Sequence, residues 1–533
     1  MTVETRRTRG LHAVALGLIV LGGLWLRLVD LGRPSFDTDE YWHVFAAQSL
    51  NASGEPRLPS GNLYTRVRWH TEMVAASFRL FGVSEASARL PSVFWGLVVM
   101  LLVYVAGRRW LGPAAGLAAA GMVAASPVMV ETARFCRMYA MFQALYLGTA
   151  IAYAAGWEAL GVRLRRRALW TAAGLALFAA ALLTQPLALS VIPAVAVYWL
   201  GRAIVRPRSR YMVFLLVAAA GAAAVALTGL VDLAALWEKA NRLPDWAAAR
   251  QQQHAFYYDE WRAWYPWLAW AAPLAAVLVL VRYRAMGWFL LCQFAVPFAL
   301  HSVVFDWKVR RYISHLFPFL ALLLAPLVVI ALRWAWVWLK DAATASTPRA
   351  SGVSRAGWAV ASAVLIVTLI AGAWPSVAQS LSLRDDPRRP RWRQGFAFLK
   401  TQMHPGDAVL AAVPLSAEYY LGQPATHTFN RGEFGHQEKA PKDAEGFSLD
   451  WYAGLPMAHS VEALQRVQAA HPRGWIVSNR GRFTDDAHTE PALRAYIQAH
   501  CRAYHPIEGS TTVYVFGWDR TQEARAPSLA AQP

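Results

Sequence analysis

Charged side chains are scarce in this sequence. They make up 16% of its 533 residues, whereas a soluble domain of this size carries charge on about a quarter of its residues. Acidic residues are the rarer kind, 33 against 52 Lys and Arg, which leaves a formal net charge of +19. The basic residues fall in short clusters between apolar runs and form no single patch. This distribution argues against nucleic-acid binding and is typical of the loops of a membrane protein.

Cysteine is nearly absent as well. Cys136, Cys292 and Cys501 lie far apart and match no spacing of a metal site or a redox pair, so the sequence predicts neither. A cleavable signal peptide is not predicted either. The apolar run at 11–29 is too long for one, and no small-residue cleavage site precedes the charged residues 37–40. We expect this run to stay in the protein as its first helix.

Long apolar runs are what the sequence has in abundance. Hydrophobic residues make up 56% of the chain. They concentrate in runs of roughly 17–20 residues, long enough to cross the hydrocarbon core as helices. The sequence therefore predicts a polytopic α-helical membrane protein with about eleven transmembrane helices. They are expected at residues 11–29, 91–107, 113–130, 138–156, 168–184, 187–201, 211–230, 266–281, 286–304, 313–332 and 357–374.

The arginine clusters predict the orientation of these helices. Short segments between spans, such as 163–167, 202–210 and 282–284, are rich in arginine. The positive-inside rule assigns such segments to the cytoplasm. The N-terminus is then cytoplasmic and, with an odd number of spans, the C-terminus lies outside. The localisation predicted is the bacterial inner membrane, with membrane lipids as partners.

Three segments outside the spans are long. The loops 30–90 and 231–265 are expected on the outer face. After the proline-punctuated residues 384–390 come a helix-like stretch and then apolar, strand-type runs near 408–414, 474–478 and 511–518. Alternating helix and strand signals indicate a small α/β domain. We therefore predict a transmembrane catalytic domain at 1–375 and an extracytoplasmic, periplasmic domain at 376–533.

Four groups of polar residues fall on the outer face in this topology. Carboxylates follow the first span, and cations stand at the far side of the first loop and after the third and ninth spans. These groups are Asp37, Asp39 and Glu40; Arg66, Arg68 and His70; Glu131, Arg134 and Arg137; and Lys308, Arg311 and Tyr312. If the third group is helical, its members are three residues apart and share a face. The members of the fourth group are predicted to lie on one helical face.

Each group by itself also has an ordinary explanation. Acidic residues at a helix mouth are usually caps or a solvated face, and outer-face Arg and Lys commonly extend to lipid headgroups. Carboxylates and cations gathered at one membrane surface fit an acid/base site beside an anion-binding site.

Several motifs, in order, resemble those of the GT-C superfamily of glycosyltransferases. The branch is the one that groups protein O-mannosyltransferases with lipid A aminoarabinose transferases, glycosyltransferase family 39-like. The resemblance covers roughly residues 11–330, and the tail resembles the outer α/β domain of many bacterial members. The motifs are Asp39-Glu40-Tyr41, residues 78–85, Ala88-Arg89-Leu90-Pro91-Ser92, residues 104–109, Ala125-Ser126-Pro127, residues 133–139, and Arg311-Tyr312 before Pro318.

The resemblance implies an inverting transfer of a sugar from a polyprenyl phosphate, such as undecaprenyl phosphate, to an acceptor hydroxyl. Asp39 matches the first-loop acid and would accept the hydroxyl proton. Glu40 is expected to be catalytic beside it, with Asp37 or Glu131 as acceptor-orienting or secondary acids. The donor phosphate would be held by cations and a phenol, because guanidinium groups match phosphate oxygens. The candidates are Arg134, Arg137, Lys308, Arg311, Tyr312, Arg66 and His70.

One departure from the family pattern matters, and so does the question of a metal ion. Many relatives carry a His-Pro-Pro or Lys-Pro motif where this chain has residues 66–72, which puts the phosphate contact there in question. Some superfamily members use a divalent cation held by first-loop carboxylates. The spacing of Asp37, Asp39 and Glu40 permits one, but ligands from a single segment do not establish a metal site, so no cofactor is predicted.

Two other functions fit parts of this sequence. One is a ligase that uses a diphosphate-linked glycan, and the other is a lipid-linked glycan transporter or flippase with no covalent chemistry. A transporter is expected to bury charge near the midplane or to contain internal repeats. The spans here are almost free of charge and no repeat is detectable, which favours the enzyme. The sugar, a hexose, pentose or amino sugar, and the acceptor stay open.

Overall fold

The computed structural model describes residues 3–159, 161–207, 209–228, 253–305, 308–344, 360, 375–385, 389–429, 441–486, 488–505 and 512–523. The chain divides into two compact units. The first, here the helical unit, comprises Met1–Val29, Ser92–Arg242 and Arg250–Arg384. The second, here the α/β unit, comprises Asp30–Pro91, Leu243–Ala249 and Asp385–Pro533.

The apolar runs form helices. A helix pairs its own backbone N–H and C=O groups, which is necessary in a lipid environment that offers no water. Each predicted span up to residue 332 overlaps one of them. These helices are α1 (Val3–Leu28), α4 (Glu85–Trp110), α5 (Pro113–Ala125), α6 (Pro127–Ala133), α7 (Tyr139–Tyr153), α8 (Leu164–Thr184), α9 (Val191–Val205), α10 (Arg210–Thr228), α12 (Leu268–Val303) and α13 (Phe317–Thr344), with the short α11 (Phe256–Trp264) before α12.

Six of the described helical stretches are long and apolar enough to cross a membrane, or seven if the bent pair α5 and α6 counts as one. The predicted class of polytopic helical membrane protein is thereby confirmed. The total of eleven stays a prediction. The last predicted span, 357–374, lies outside the described residues apart from residue 360, and the loop 231–265 is described only from residue 253.

Two breaks interrupt the helices of the helical unit. Helices α5 and α6 bend by 62° at Ser126, whose hydroxyl caps α6 by accepting the Met129 N–H at 3.3 Å. Helix α12 is interrupted at Arg284, whose φ of 41° and ψ of −106° are not helical. This break falls between the two spans predicted at 266–281 and 286–304. The two halves approach closely, since a Cβ at Gly287 would collide with the Val279 carbonyl.

The α/β unit is built around a four-stranded sheet of order β1-β2-β4-β3, in which β1 and β2 are parallel and β4 is antiparallel to both neighbours. The strands are β1 (Ala408–Ala411), β2 (Arg473–Asn479), β3 (Arg502–Ala503) and β4 (Val513–Asp519). The three predicted strand-type runs overlap β1, β2 and β4. Helices α2 (Thr38–Ser53), α3 (Arg68–Phe81), α14 (Trp392–Gln402), α15 (Pro414–Leu421), α16 (Val461–Ala470), α17 (Arg480–Thr484), α18 (Pro491–His500) and α19 (Arg520–Glu523) also lie in this unit.

The sheet's apolar side chains form the core of the α/β unit. Leu410, Ile476 and Phe516 come from three different strands, and Leu464 and Ile497 from the amphipathic helices α16 and α18; all are almost completely buried. The first long loop, residues 30–91, belongs to the same compact unit as residues 385–533. The domain boundary predicted at 375/376 stays a prediction.

Candidate active site

The carboxylate segment lies at the start of α2. Asp37 occupies the N-cap position in an extended conformation (φ −76°, ψ 159°), and Asp39 and Glu40 fall in the first helical turn. Glu40 accepts the backbone N–H of Asp37 at 2.8 Å. Negative charge is favourable at a helix N-terminus, because the unpaired N–H groups there carry partial positive charge. These local interactions favour a helical turn at this point.

Two arginines hold the Glu40 carboxylate inside the α/β unit. Arg89 donates from Nε to Oε1 at 2.8 Å and from Nη2 to Oε2 at 3.0 Å. Arg389 donates from Nη1 to Oε2 at 2.9 Å. The Glu40 and Arg89 side chains are 0% and 1% exposed. A bidentate, fully desolvated pair of this kind is geometrically rigid.

Arg89 also anchors the chain that leads into α2. Its guanidinium donates to the carbonyls of Leu31 and Pro34 at 2.8 and 2.9 Å and of Ser35 at 3.2 Å. Arg89 and Arg389 were not among the predicted site residues. Arg89 could have been found, since it stands in one of the motifs that carry the family resemblance. Arg389 carried no such signal.

Asp37 and Asp39 are partly exposed, unlike Glu40. Of the carboxylates in this turn, these two are therefore the ones in contact with solvent. Tyr41, the next residue, is fully buried. Burial, followed by the charges of neighbouring acidic and phenolic groups, raises the pKa of Tyr41 well above its ordinary value. Tyr41 therefore stays a neutral phenol.

Arg66 and His70, the two first-loop residues predicted to contact the donor phosphate, differ in burial. His70, in α3, is buried, and its ring lies 4.8 Å from that of His43 at an angle of 81°. His43 Nδ1 in turn lies 2.9 Å from Thr71 Oγ1. Arg66 is exposed. The assignment of Arg66 and His70 to the donor phosphate stays a prediction.

In the helical unit, the segment Glu131 to Arg137 is helical only as far as Ala133, where α6 ends. The predicted shared helical face therefore does not form. Arg134 turns to the end of α1 instead, and its Nη1 donates to the carbonyls of Arg27 and Val29 at 3.0 and 2.7 Å. Cations are favourable at a helix C-terminus, where the last carbonyls lack intrahelical partners.

Glu131 is paired with Arg310, which was not among the predicted site residues. Arg310 donates from Nη2 to Glu131 Oε1 at 2.9 Å, and its Nη1 lies 3.6 Å from Glu260 Oε2. The guanidinium also stands 4.7 Å from the centre of the Trp264 ring. The pair is partly exposed, at 26% for Arg310 and 22% for Glu131.

Arg311 lies over aromatic rings. Its guanidinium is 5.3 Å from the Phe135 ring and 5.6 Å from the Tyr139 ring, and its Nε donates to Tyr139 Oη at 3.2 Å. The rings of Tyr139 and Tyr312 lie 6.3 Å apart. The structure therefore brings Arg311 and Tyr312 together around Tyr139.

Lys308 and Arg137 are more deeply placed. Lys308 is fully buried, and its Nζ donates to the Phe305 carbonyl at 2.7 Å. It precedes the 3₁₀ helix Arg310–Leu316, so the predicted common helical face of residues 308, 311 and 312 does not form. Arg137 is 1% exposed, and its carbonyl accepts from the Ser92 hydroxyl at 3.1 Å.

Among the residues that the structure describes, no group of three or more His, Cys, Asp or Glu could hold a metal ion. Within the α/β unit, the partly exposed Asp39 is a group that can accept a proton. Within the helical unit, the partly exposed guanidinium groups of Arg310 and Arg311 are groups that can bind an oxyanion.

Comparison with known proteins gives a family match to part of the chain and a similar fold over most of it. Residues 70–231 match the family described as dolichyl-phosphate-mannose-protein mannosyltransferase. No curated protein matches the sequence. Among solved structures, ArnT from Cupriavidus metallidurans in the apo state is similar at 15% identity and a TM-score of 0.60, over 95% of this chain and 98% of that one.

Two further structures, both with ligands, are similar over nearly the whole chain. ArnT from Cupriavidus metallidurans bound to undecaprenyl phosphate matches at 17% identity and a TM-score of 0.58, over 97% of this chain and 99% of that one. The archaeal oligosaccharyltransferase AglB from Archaeoglobus fulgidus, in complex with an inhibitory peptide and a dolichol-phosphate, matches at 12% identity and 0.57, over 97% and 75%.

These likenesses confirm the resemblance that the motifs of the first loop and the spans predicted. The chain is a polytopic helical membrane protein. Its fold is similar to those of the ArnT and AglB structures, and its residues 70–231 match a mannosyltransferase family.

Proposed function

We propose that this protein is an inverting glycosyltransferase that moves a sugar from a polyprenyl-phosphate carrier to an acceptor hydroxyl. The observation that carries the proposal is the likeness along 97% of the chain to ArnT bound to undecaprenyl phosphate. The matched family, named for a dolichyl-phosphate mannose donor, supports the same donor class. We infer that the lipid partner is a polyprenyl phosphate.

In the proposed reaction, the acceptor oxygen attacks the anomeric carbon of the donor sugar. The new bond joins that oxygen to the carbon, and the bond from the carbon to the phosphate oxygen breaks. The polyprenyl phosphate departs with the bonding electron pair. Asp39 accepts the proton of the attacking hydroxyl. Its partial exposure at the start of α2 supports this role.

Glu40 has a different role in this proposal. Both of its oxygens already accept hydrogen bonds from guanidinium groups, so it is poorly suited to take a proton. We assign it to positioning: it fixes the first turn of α2 and hence the Asp39 backbone. Asp37, at the N-cap, remains the candidate for orienting the acceptor.

Arg311 is the first candidate for binding the donor phosphate. It is partly exposed, and the planar guanidinium offers paired donors that suit phosphate oxygens. Arg310, held by Glu131, joins the proposal for the same reason. A phosphate leaving group needs cations more than it needs a general acid. The other candidates from the sequence are Lys308, Arg137, Tyr312, Arg134, Arg66 and His70.

The proposed reaction takes place at the outer face of a bacterial inner membrane. The arginine-rich segments near 163–167 and 202–210 support a cytoplasmic N-terminus. The same topology assigns residues 376–533 to the outside. Cysteine labelling at positions introduced near residues 163 and 523, with a membrane-impermeant reagent in intact cells, tests this orientation.

The test of the function uses the full chain in lipid nanodiscs with a radiolabelled undecaprenyl-phosphate sugar. Asp39→Asn keeps the size of the side chain but removes the base, so transfer to an envelope-extract acceptor should fall about 10²- to 10⁴-fold. Glu72→Gln is the matched control, since its carboxylate is half exposed in the same loop and pairs with Arg68. Unchanged transfer in Asp39→Asn would overturn the assignment of the base.

A further inference from the structure

A shallow cleft opens in the α/β unit where its two parallel strands end. Its walls come from Ala412 to Leu415, directly after β1, and from Arg482, three residues after β2. In sheets with parallel strands, ligands bind beyond the carboxyl ends of those strands, where the backbone diverges into loops. We name this feature the strand-end cleft.

The rest of the cleft combines aromatic and charged side chains. Trp42 of α2 and Tyr452 stack with their ring centres 4.5 Å apart and an interplanar angle of 5°. Asp450 lines the cleft, as does Arg482, which reaches Thr38 Oγ1 at 3.4 Å. An apolar wall with a few converging polar groups is the usual composition of a small-molecule site.

The cleft is held in shape by its surroundings. Asp450 Oδ1 accepts the backbone N–H groups of Tyr452 and Ala453 at 3.0 and 2.7 Å. Asn62, from the first loop, donates to the Trp451 carbonyl at 2.8 Å. Because these bonds pin the turn at 450–453, the carboxylate does not need to be ordered by a ligand, which lowers the cost of binding.

The size of the cleft indicates what can enter it. The volume open to a water-sized group is about 30 Å³. One water needs roughly 10–15 Å³ of such volume, so about two hydroxyl-sized groups fit. A carboxylate accepts hydrogen bonds from hydroxyls and a guanidinium donates to them. Two neighbouring hydroxyls of a sugar can therefore form hydrogen bonds with Asp450 and Arg482 together.

An extended peptide fits less well. Such a peptide usually adds a strand to an open sheet edge, and β1 is the edge strand beside the cleft. Its outer side is already covered, since the Thr426 N–H donates to the Val409 carbonyl at 2.8 Å and the Ala411 N–H to the His427 carbonyl at 3.1 Å.

We propose that the strand-end cleft binds the sugar portion of the acceptor through two neighbouring hydroxyl groups. This inference rests on the proposed function, because it supplies an acceptor to the transferase. Thr38, in the wall of the cleft, directly precedes Asp39, and consecutive Cα atoms lie about 3.8 Å apart. A glycan held here contacts the first turn of α2, which also carries the proposed base, so the acceptor class is a glycan or glycolipid.

Binding is tested without any donor, so that it does not depend on turnover. The full chain in nanodiscs is followed by hydrogen–deuterium exchange with millimolar methyl glycosides of glucose, mannose and galactose. We expect at least one of them to slow exchange in peptides that cover residues 412–415 and 450–453. Arg482→Gln and Asp450→Asn should each weaken that protection roughly tenfold, the loss expected when a charged hydrogen-bonding partner is removed.

Matched controls separate recognition from structure. Asp443→Asn alters another aspartate whose Oδ1 accepts two backbone N–H groups, from Glu445 and Phe447. Arg480→Gln alters an exposed arginine on the same short helix as Arg482. Both should retain the wild-type protection. Protection by none of the three glycosides, or equal protection in Arg482→Gln, would overturn the proposal.

A serine- and threonine-containing peptide serves as the competing probe. If the peptide protects the cleft and the glycosides do not, the acceptor class assigned here is wrong. The proposed function is judged separately, by sugar transfer from the undecaprenyl-phosphate donor. Sugar transfer without glycoside protection would contradict the cleft proposal and leave the proposed function intact. Glycoside protection without sugar transfer would contradict the proposed function, and with it the acceptor role of the cleft, while leaving the cleft as a sugar-binding site.

Discussion

Two carboxylate–arginine pairs, one in each unit, differ mainly in burial. In the α/β unit, Glu40 and Arg89 are 0% and 1% exposed. In the helical unit, Glu131 and Arg310 are 22% and 26% exposed. The contact distances are almost equal, 2.8 and 2.9 Å. The buried pair cannot exchange its partners for water, so it holds the backbone around Glu40 in place. The partly exposed pair can release one partner to a ligand.

The largest effect is expected at the buried pair. Arg89→Ala leaves the Glu40 carboxylate without its bidentate partner, and breaking a buried pair costs about 3–5 kcal/mol of folding stability. Thermal unfolding of the protein in nanodiscs should show a clear loss of stability. Arg68→Ala is the control, because the exposed pair of Arg68 and Glu72 is worth only about 0–1 kcal/mol. Equal stability of the two variants would remove the contrast between buried and exposed pairs.

A smaller effect on stability, but a specific effect on the donor, is expected at the partly exposed cations. Arg311→Gln removes one charge-assisted contact to the proposed phosphate, which should weaken undecaprenyl phosphate binding roughly tenfold. Thermal stabilisation of the protein by undecaprenyl phosphate measures this. Arg262→Gln, a change of the only basic residue in the last turn of α11, should leave the stabilisation unchanged. Wild-type stabilisation in Arg311→Gln would exclude that residue from the phosphate site.

The smallest effect is a pH dependence confined to the α/β unit. Burial would raise the pKa of Asp407, but hydrogen bonds from Arg473, the His404 N–H and Trp475 outweigh it and hold that pKa below its ordinary value. Burial and the nearby His471 lower the pKa of His427 from 6.5 to about 4. Both groups bind protons more readily when unfolded.

Their contribution to stability is therefore present at neutral pH and is lost as the pH falls. For His427 the loss runs from about pH 6.5 down to about 4, the ordinary and folded pKa values. Hydrogen–deuterium exchange in peptides that cover Ala408–Ala411 should accelerate over this range, while His427→Gln should flatten the response. Exchange that is independent of pH after correction for the intrinsic chemical rate would contradict this account.

Much of the fold follows from local pattern. An apolar run long enough to cross a bilayer has to become a helix, so the spans could be placed within a few residues, and the strand-type runs near 408–414, 474–478 and 511–518 overlap β1, β2 and β4. The condition of a continuous helix at 131–137 is not met, and the common helical face predicted for residues 308, 311 and 312 was wrong. Periodicity could not show that α6 ends at Ala133 or that Lys308 precedes its helix.

The candidate site was less predictable, because its side chains meet partners far along the chain. Glu40 lies 49 residues from Arg89 and 349 from Arg389, separations at which spacing in the sequence carries no information on contact. Arg134 was predicted to bind phosphate, and its described hydrogen bonds end on carbonyls of α1 and the residue that follows it. Its role in binding the donor stays a prediction.

By itself the sequence determined that the chain enters a membrane as helices, carries acids after the first of them and ends in an α/β unit. These are consequences of hydrophobicity and short-range hydrogen bonding, which act between neighbours in the chain. Only the tertiary structure decided that Glu40 is enclosed by two arginines while Asp39 stays reachable, and that the strand ends meet α2 in a cleft. Burial is a property of what surrounds a side chain, and those surroundings come from residues hundreds of positions away.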